Sequence, residues 1–310
     1  MTPGHLGKAP PGTPPPSSDP DAATRRPATS LLTWGTVALV LVIVVVLVVI
    51  KMTGGQPSST PSAAVTPTPA PSSVVKAVTT IPESVYDAVG VDSADATLTP
   101  PTVLHGQHRL TFGGKPELVF VGNEFCPYCA AERWAVVAAL SRFGTFGDSL
   151  YATQSGSNEA FPSTPTFTFD GTHYRSKYLA ATLVEHYGDQ KNGEGTAYAV
   201  LEPLTSGEKG LIARYDRQTP GAPGGVVPFV DVANAAVVAG GQFSPSILQE
   251  LSVNEIATGL TDPNDPATQA IVASANYLSA VICQVDGQLP AGVCSSAGVA
   301  HAAGALGLAS

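Results

Sequence analysis

Two cysteines stand two residues apart in the run Phe125-Cys126-Pro127-Tyr128-Cys129. At that spacing one helical turn brings the two sulfurs together. The preceding residues, 117–122, form an apolar run bounded by turn signals and read as a short buried strand. A helical pattern follows over 126–142. Cys126 is therefore expected at a helix N-terminus, where free N–H groups and the helix dipole favour an anion. That placement lowers a thiol pKa from about 8.5 and raises the thiolate fraction at neutral pH. Pro127 suits the first turn, because its missing N–H has no partner there anyway. Cys129, one turn in, is expected to be more buried and less acidic. The pair then exchanges disulfides, with Cys126 attacking and Cys129 resolving the mixed disulfide.

Glu124 and Glu132 flank the pair, and either is a candidate acid/base group for the resolving step. Their simpler reading is as exposed charges, and Glu124 near the helix start opposes a thiolate by like charge. The CxxC also has two inert readings. One is a structural disulfide. The other is half a zinc site, completed by Cys283 and Cys294 or by His105 and His108. Cys283 and Cys294 are more simply a structural disulfide closing a loop of about 12 residues, worth roughly 3 kcal/mol. A second redox pair is their sharper reading.

Strands and helices must position these groups. Strands are expected at 150–154, 166–169, 226–232 and 235–238, the last two joined by a tight turn at Asn234. Helices are expected at 178–187, 205–215, 246–260 and 267–285, the last two opened by Ser244-Pro245 and Asp265-Pro266. Alternating strands and helices imply an α/β fold with helices covering the sheet. Residues 297–310 are rich in Ala and Gly and read as frayed.

Residues 31–50 are LLTWGTVALVLVIVVVLVVI, an uncharged run. At about 1.5 Å per residue it matches the hydrocarbon thickness of a bilayer. Arg25 and Arg26 precede it and Lys51 follows, a bias that favours a cytoplasmic N-terminus. The expected order is a disordered cytoplasmic tail (1–30), a transmembrane helix (31–51), a Pro/Ser/Thr-rich linker (52–80), an extracytoplasmic domain (81–298) and a flexible C-terminus (299–310). The chain has 310 residues, only 13% of them charged, with a formal net charge of −9. It offers no basic field for nucleic acid.

The strand at 114–121 followed by Cys126-Pro127-Tyr128-Cys129 resembles the active-site strand and helix of the thioredoxin superfamily. The central Pro-Tyr is similar to that of glutaredoxins. Val227-Pro228-Phe229-Val230 resembles the superfamily's cis-proline segment, whose residues contact bound peptide; that role is carried to Val227 and Pro228. Over residues 80–295, including the run 123–134, the chain resembles membrane-anchored thioredoxin-like proteins of the domain of unknown function number 929. Two departures stand out. Phe125 occupies the place of the thioredoxin tryptophan, and about 85 residues separate Arg142 from Val227. The resemblance therefore implies a thioredoxin-like α/β fold with helical insertions, as in DsbA-like oxidases. The activity it implies is thiol–disulfide exchange on protein substrates at the membrane, with a membrane or soluble redox partner to recycle the pair. No cofactor beyond Cys126–Cys129 is expected. The alternatives are a non-catalytic thioredoxin-fold binding module and a glutathione-type oxidoreductase.

Overall fold

The computed structural model describes residues 66–91, 97–192, 195–215 and 225–308. The expected tail (1–30), membrane helix (31–51) and first part of the linker (52–65) lie outside them. Among the described residues no helix is long and apolar enough to cross a membrane. In chain order the elements are β1 (Thr68–Pro69), α1 (Ser72–Thr79), α2 (Glu83–Val89), β2 (Thr102–Val103), β3 (Thr111–Phe112), β4 (Lys115–Gly122) and α3 (Pro127–Ser141). Then come β5 (Gly144–Thr145), β6 (Tyr151–Gln154), β7 (Pro165–Thr168), β8 (Arg175–Ser176), β9 (Ala180–Glu185), β10 (Tyr187–Lys191), β11 (Tyr198–Val200) and α4 (Ser206–Tyr215). The chain closes with β12 (Phe229–Val232), β13 (Ala236–Ala239), a 3-10 turn (Pro245–Leu248), α5 (Val253–Gly259), α6 (Pro266–Asp286), α7 (Ala291–Cys294) and α8 (Ala297–Leu306).

The fold is mixed α/β around β4. β9 pairs with β4 in parallel, while β12 pairs with it antiparallel on the other edge. β13 and β2 extend the sheet beyond β12, and β3 forms a hairpin with the start of β4. Side-chain alternation along each strand builds two cores. Leu118, Phe120, Val230, Val232, Ala236 and Val238 face the larger core under α3 and α6. Val119, Val121, Val184, Phe229 and Val237 face a smaller one, closed by Leu204 and by Ile212 of α4. A separate three-stranded sheet, β1-β6-β7, packs its β7 edge on α3. Trp134 of α3 is fully buried and its indole N–H donates to the Pro165 carbonyl at 2.9 Å.

Three expectations are corrected. Residues 178–187 form strand β9 and the start of β10, not a helix. Register with β4 decides this, and Thr182 on β9 donates to Glu117 on β4 at 2.5 Å. Tertiary pairing outweighs the helical preference of Leu179-Ala180-Ala181. The insertion after Arg142 holds strands at β6 and β7 and a helix at α4, near the ranges expected, together with the short strands β5 and β8 to β11. The expected helix 246–260 is two pieces, because Ser252 starts a new helix through a capping box with Glu255. The outer ends of the domain are ordered. α1 buries Val74 and Val78 against the larger core, so the linker gives way to structure before residue 80. α8 packs on α2 and α6, and Gly298 permits the close approach: a Cβ there meets the Tyr86 carbonyl oxygen at 2.5 Å.

A disulfide joins Cys283, near the end of α6, to Cys294 in α7. It closes an 11-residue separation just before α8. Cys294→Ser is expected to lower domain stability by roughly 3 kcal/mol, read as a lower Tm. In a Cys126→Ser background, adding reductant to that variant should lower the Tm no further, whereas it should lower the Tm of Cys126→Ser alone.

Candidate functional site

β4 ends at Gly122, and residues 123–126 turn the chain into α3. Cys126 is the N-cap with extended backbone, and Pro127 takes the first helical position. The Cys129 N–H donates to the Cys126 sulfur at 3.2 Å. On its other side the Cys126 thiol donates to the Val227 carbonyl at 3.9 Å. The Val227–Pro228 peptide is cis and opens β12. The structure thus brings Val227, which precedes the cis Pro228, against the Cys126–Cys129 pair. Both thiols are free; Cys126 is 7% exposed and Cys129 fully buried.

The two sulfurs have opposite acidities. Cys126 is held below the ordinary cysteine value, first by the hydrogen bond from the Cys129 thiol. Burial works against this, and the Cys129 N–H, the Arg133 charge and the Tyr128 N–H reinforce it. Cys129 is pushed well above the ordinary value, first by burial, then by its proton shared with Cys126 and by the Cys126 charge. This asymmetry suits an attacking and a resolving thiol.

The two glutamates are not the solvated charges of their simpler reading. Glu124 is 5% exposed and Glu132 fully buried. The Thr168 hydroxyl donates to Glu124, and the Gln242 N–H donates to Glu132 Oε2 at 3.0 Å. Glu132 Oε1 and both amide atoms of the Gln242 side chain have no hydrogen-bond partner among the described residues. Burial pushes each carboxyl up to about 7; for Glu124 the Arg133 charge pulls back and Glu185 adds to the rise.

Arg133, Glu159, Phe161, Glu185 and Tyr198 join the site without having been expected there. Arg133 donates through Nε and Nη2 to both oxygens of Glu185, at 2.7 and 2.6 Å, with both side chains fully buried. The sequence held a signal for it: Glu132-Arg133 sits in a helix otherwise apolar on every face, which leaves no solvent-facing stripe for charges. The aromatic rim had no local signal. The Phe125 and Tyr198 rings stack at 3.7 Å, and the Tyr198 hydroxyl donates to Glu159 at 2.6 Å. Phe161 meets the half-exposed Tyr128 edge-on at 5.8 Å. Gly241 backs Tyr128, since a Cβ there would lie 3.0 Å from the ring.

The remaining cysteines take no part in this cluster, being bonded to each other. His105 and His108 lie in the exposed loop between β2 and β3. Among the described residues no group of three or more His, Cys, Asp or Glu side chains is placed to hold a metal.

A family model described as Domain of unknown function (DUF929) matches residues 103–284. No curated protein and no solved structure matches the chain.

Proposed function

The chain belongs to the family of the domain of unknown function DUF929, and we propose that it is a thiol–disulfide oxidoreductase of protein substrates. One observation carries the reading. The Cys126 sulfur sits at the start of α3, 3.2 Å from the Cys129 N–H and facing the Val227 carbonyl across the sheet. An N-terminal sulfur with a lowered pKa beside a buried partner with a raised one is the arrangement exchange chemistry requires. The strand–helix junction and the cis proline opening β12 support a thioredoxin-like fold, as the resemblance implies.

In this mechanism the Cys126 thiolate attacks one sulfur of a substrate disulfide. That bond breaks and the first substrate thiolate leaves, taking a proton. Cys129 loses its proton and attacks the Cys126 sulfur. The Cys126–Cys129 bond forms, the second substrate thiolate leaves, and two electrons have passed to the substrate. The reverse steps oxidise a substrate dithiol, and a redox partner resets the pair. Glu124 and Glu132, the carboxyls that flank the pair in sequence, are the candidates to take the Cys129 proton. Val227 and Pro228 take the peptide-contacting role that the resemblance implies. Residues 31–50 anchor the chain in the bilayer and place the domain outside the cytoplasm.

A polypeptide suits the rim better than glutathione. Phe125, Tyr128, Phe161 and Tyr198 give it apolar area, and its hydrogen-bonded carboxylate is Glu159. Glutathione brings two carboxylates of its own, whereas the cation that the described residues set on this aromatic rim is Lys191, 5.4 Å over the Tyr198 ring. The test is turnover of a disulfide-bonded protein beside that of a glutathionylated peptide. Faster reaction with the protein, abolished in Cys126→Ser, is expected. Preference for the glutathionylated peptide favours the glutathione reading. Activity that survives Cys126→Ser contradicts both.

A further inference from the structure

The exchange steps leave the buried pair Arg133–Glu185 unused. A mere tie between α3 and β9 accounts for two of its hydrogen bonds. The third goes elsewhere. Arg133 Nη2 also donates to the Asn123 carbonyl at 2.9 Å, and that same carbonyl accepts the Cys126 N–H at 3.1 Å. Asn123 is tied further: its side-chain oxygen accepts the Tyr187 N–H of β10 at 3.3 Å. Arg133 therefore grips the turn that carries the reactive sulfur. It also lies four residues beyond Cys129 on α3, a spacing that puts both on one helix face. Its Nη1 is buried without a hydrogen-bond partner among the described residues.

We propose that Arg133 is a positioning residue for the dithiol: through the Asn123 carbonyl it fixes the Cys126 turn, and its charge, moderated by Glu185, favours the thiolate form of the pair. The field at both sulfurs runs in this direction, since Arg133 lowers the pKa of Cys126 and of Cys129. The other ionisable groups against it are Glu185 on β9, Glu124 in the turn after β4, and Asp170 just after β7, which acts on Glu124. All three are carboxyls, which oppose a thiolate where Arg133 favours one.

The test reads the pH midpoint of Cys126 alkylation by iodoacetamide, site-resolved by mass spectrometry, on the reduced full-length chain. Arg133→Met alone leaves Glu185 buried without its cation and is expected to fold poorly. The informative variants are therefore the double replacement Arg133→Met with Glu185→Met, and the single replacement Glu185→Gln. In the double variant the midpoint should rise by about 1 pH unit. In Glu185→Gln the cation is kept and its counter-charge removed, so the midpoint should fall. Opposite signs are the signature, because loosening a structural tie moves both variants the same way. Midpoints that coincide with that of the unaltered chain, or that move together, overturn the proposal. The readout needs no redox substrate. A chain with the expected midpoints but no turnover would sink the exchange reading and leave this inference standing.

Discussion

Cys129→Ser is expected to abolish turnover while leaving Cys126 able to attack. A mixed disulfide between Cys126 and its substrate should accumulate, because the buried group that releases it is gone. The hydrogen bond from the Cys129 N–H to the Cys126 sulfur comes from the backbone and survives the change. The nucleophile therefore keeps that part of its activation. Cys126→Ser should trap nothing, since it removes the sulfur facing the Val227 carbonyl. Non-reducing electrophoresis followed by mass spectrometry of the adducts separates the cases. Adducts on Cys126 in Cys129→Ser, and none in the reverse variant, are the expected pair of results. Adducts forming equally well in both would mean the two sulfurs are not differentiated as their burial requires.

The second large effect is a loss of stability as pH rises. In the unfolded chain Glu124 and Glu132 titrate in the ordinary carboxylate range, near 4.5, whereas in the fold burial pushes each up to about 7. The folded state thus holds these protons more tightly than the unfolded state. Their stability is fully present below the unfolded value and is lost as pH climbs through the folded one. Each contributes a change of roughly 3 kcal/mol across that window. Asp231, pushed up to about 6 by burial, adds in the same sense. Urea unfolding at pH 5 and pH 8 should therefore show the greater stability at pH 5. Glu132→Gln should flatten the difference by removing one of the buried acids, while its amide oxygen still accepts the Gln242 N–H. Equal stability at the two pH values, or an unflattened profile in Glu132→Gln, would contradict the buried-carboxyl account.

The site was more legible in the sequence than the surrounding fold, and the reason is locality. A cysteine spacing, a proline at the first helical turn and an apolar strand just before it are all local signals. They place Cys126 and Cys129 within a few residues. Pro228 came from resemblance rather than pattern, and its place beside Cys126 is set by pairing β12 with β4. Long-range choices were harder to read. Residues 180–185 carry helix-favouring alanines and leucine, yet become the parallel neighbour of β4. The Ala/Gly run at 297–306 looks featureless until Gly298 is set against the backbone of Tyr86. The aromatic rim joins Phe125 to Tyr198 across 73 positions of chain, a pairing no local pattern encodes. Glu132 and Arg133 were readable in principle, because a helix apolar on all faces forces any charge it carries into the interior.

The central claim is that Cys126 and Cys129 form a reversible redox pair within a folded domain. It is tested most directly by equilibrating the chain in a series of defined thiol–disulfide buffers, then trapping free thiols by alkylation and counting them by mass. The account predicts a two-electron transition confined to Cys126 and Cys129, with circular dichroism unchanged across it. A midpoint near −120 mV would make the pair a donor of disulfides, and one near −270 mV a reductant. A Cys126–Cys129 bond that never forms, or one that opens only when the domain unfolds, would contradict the account.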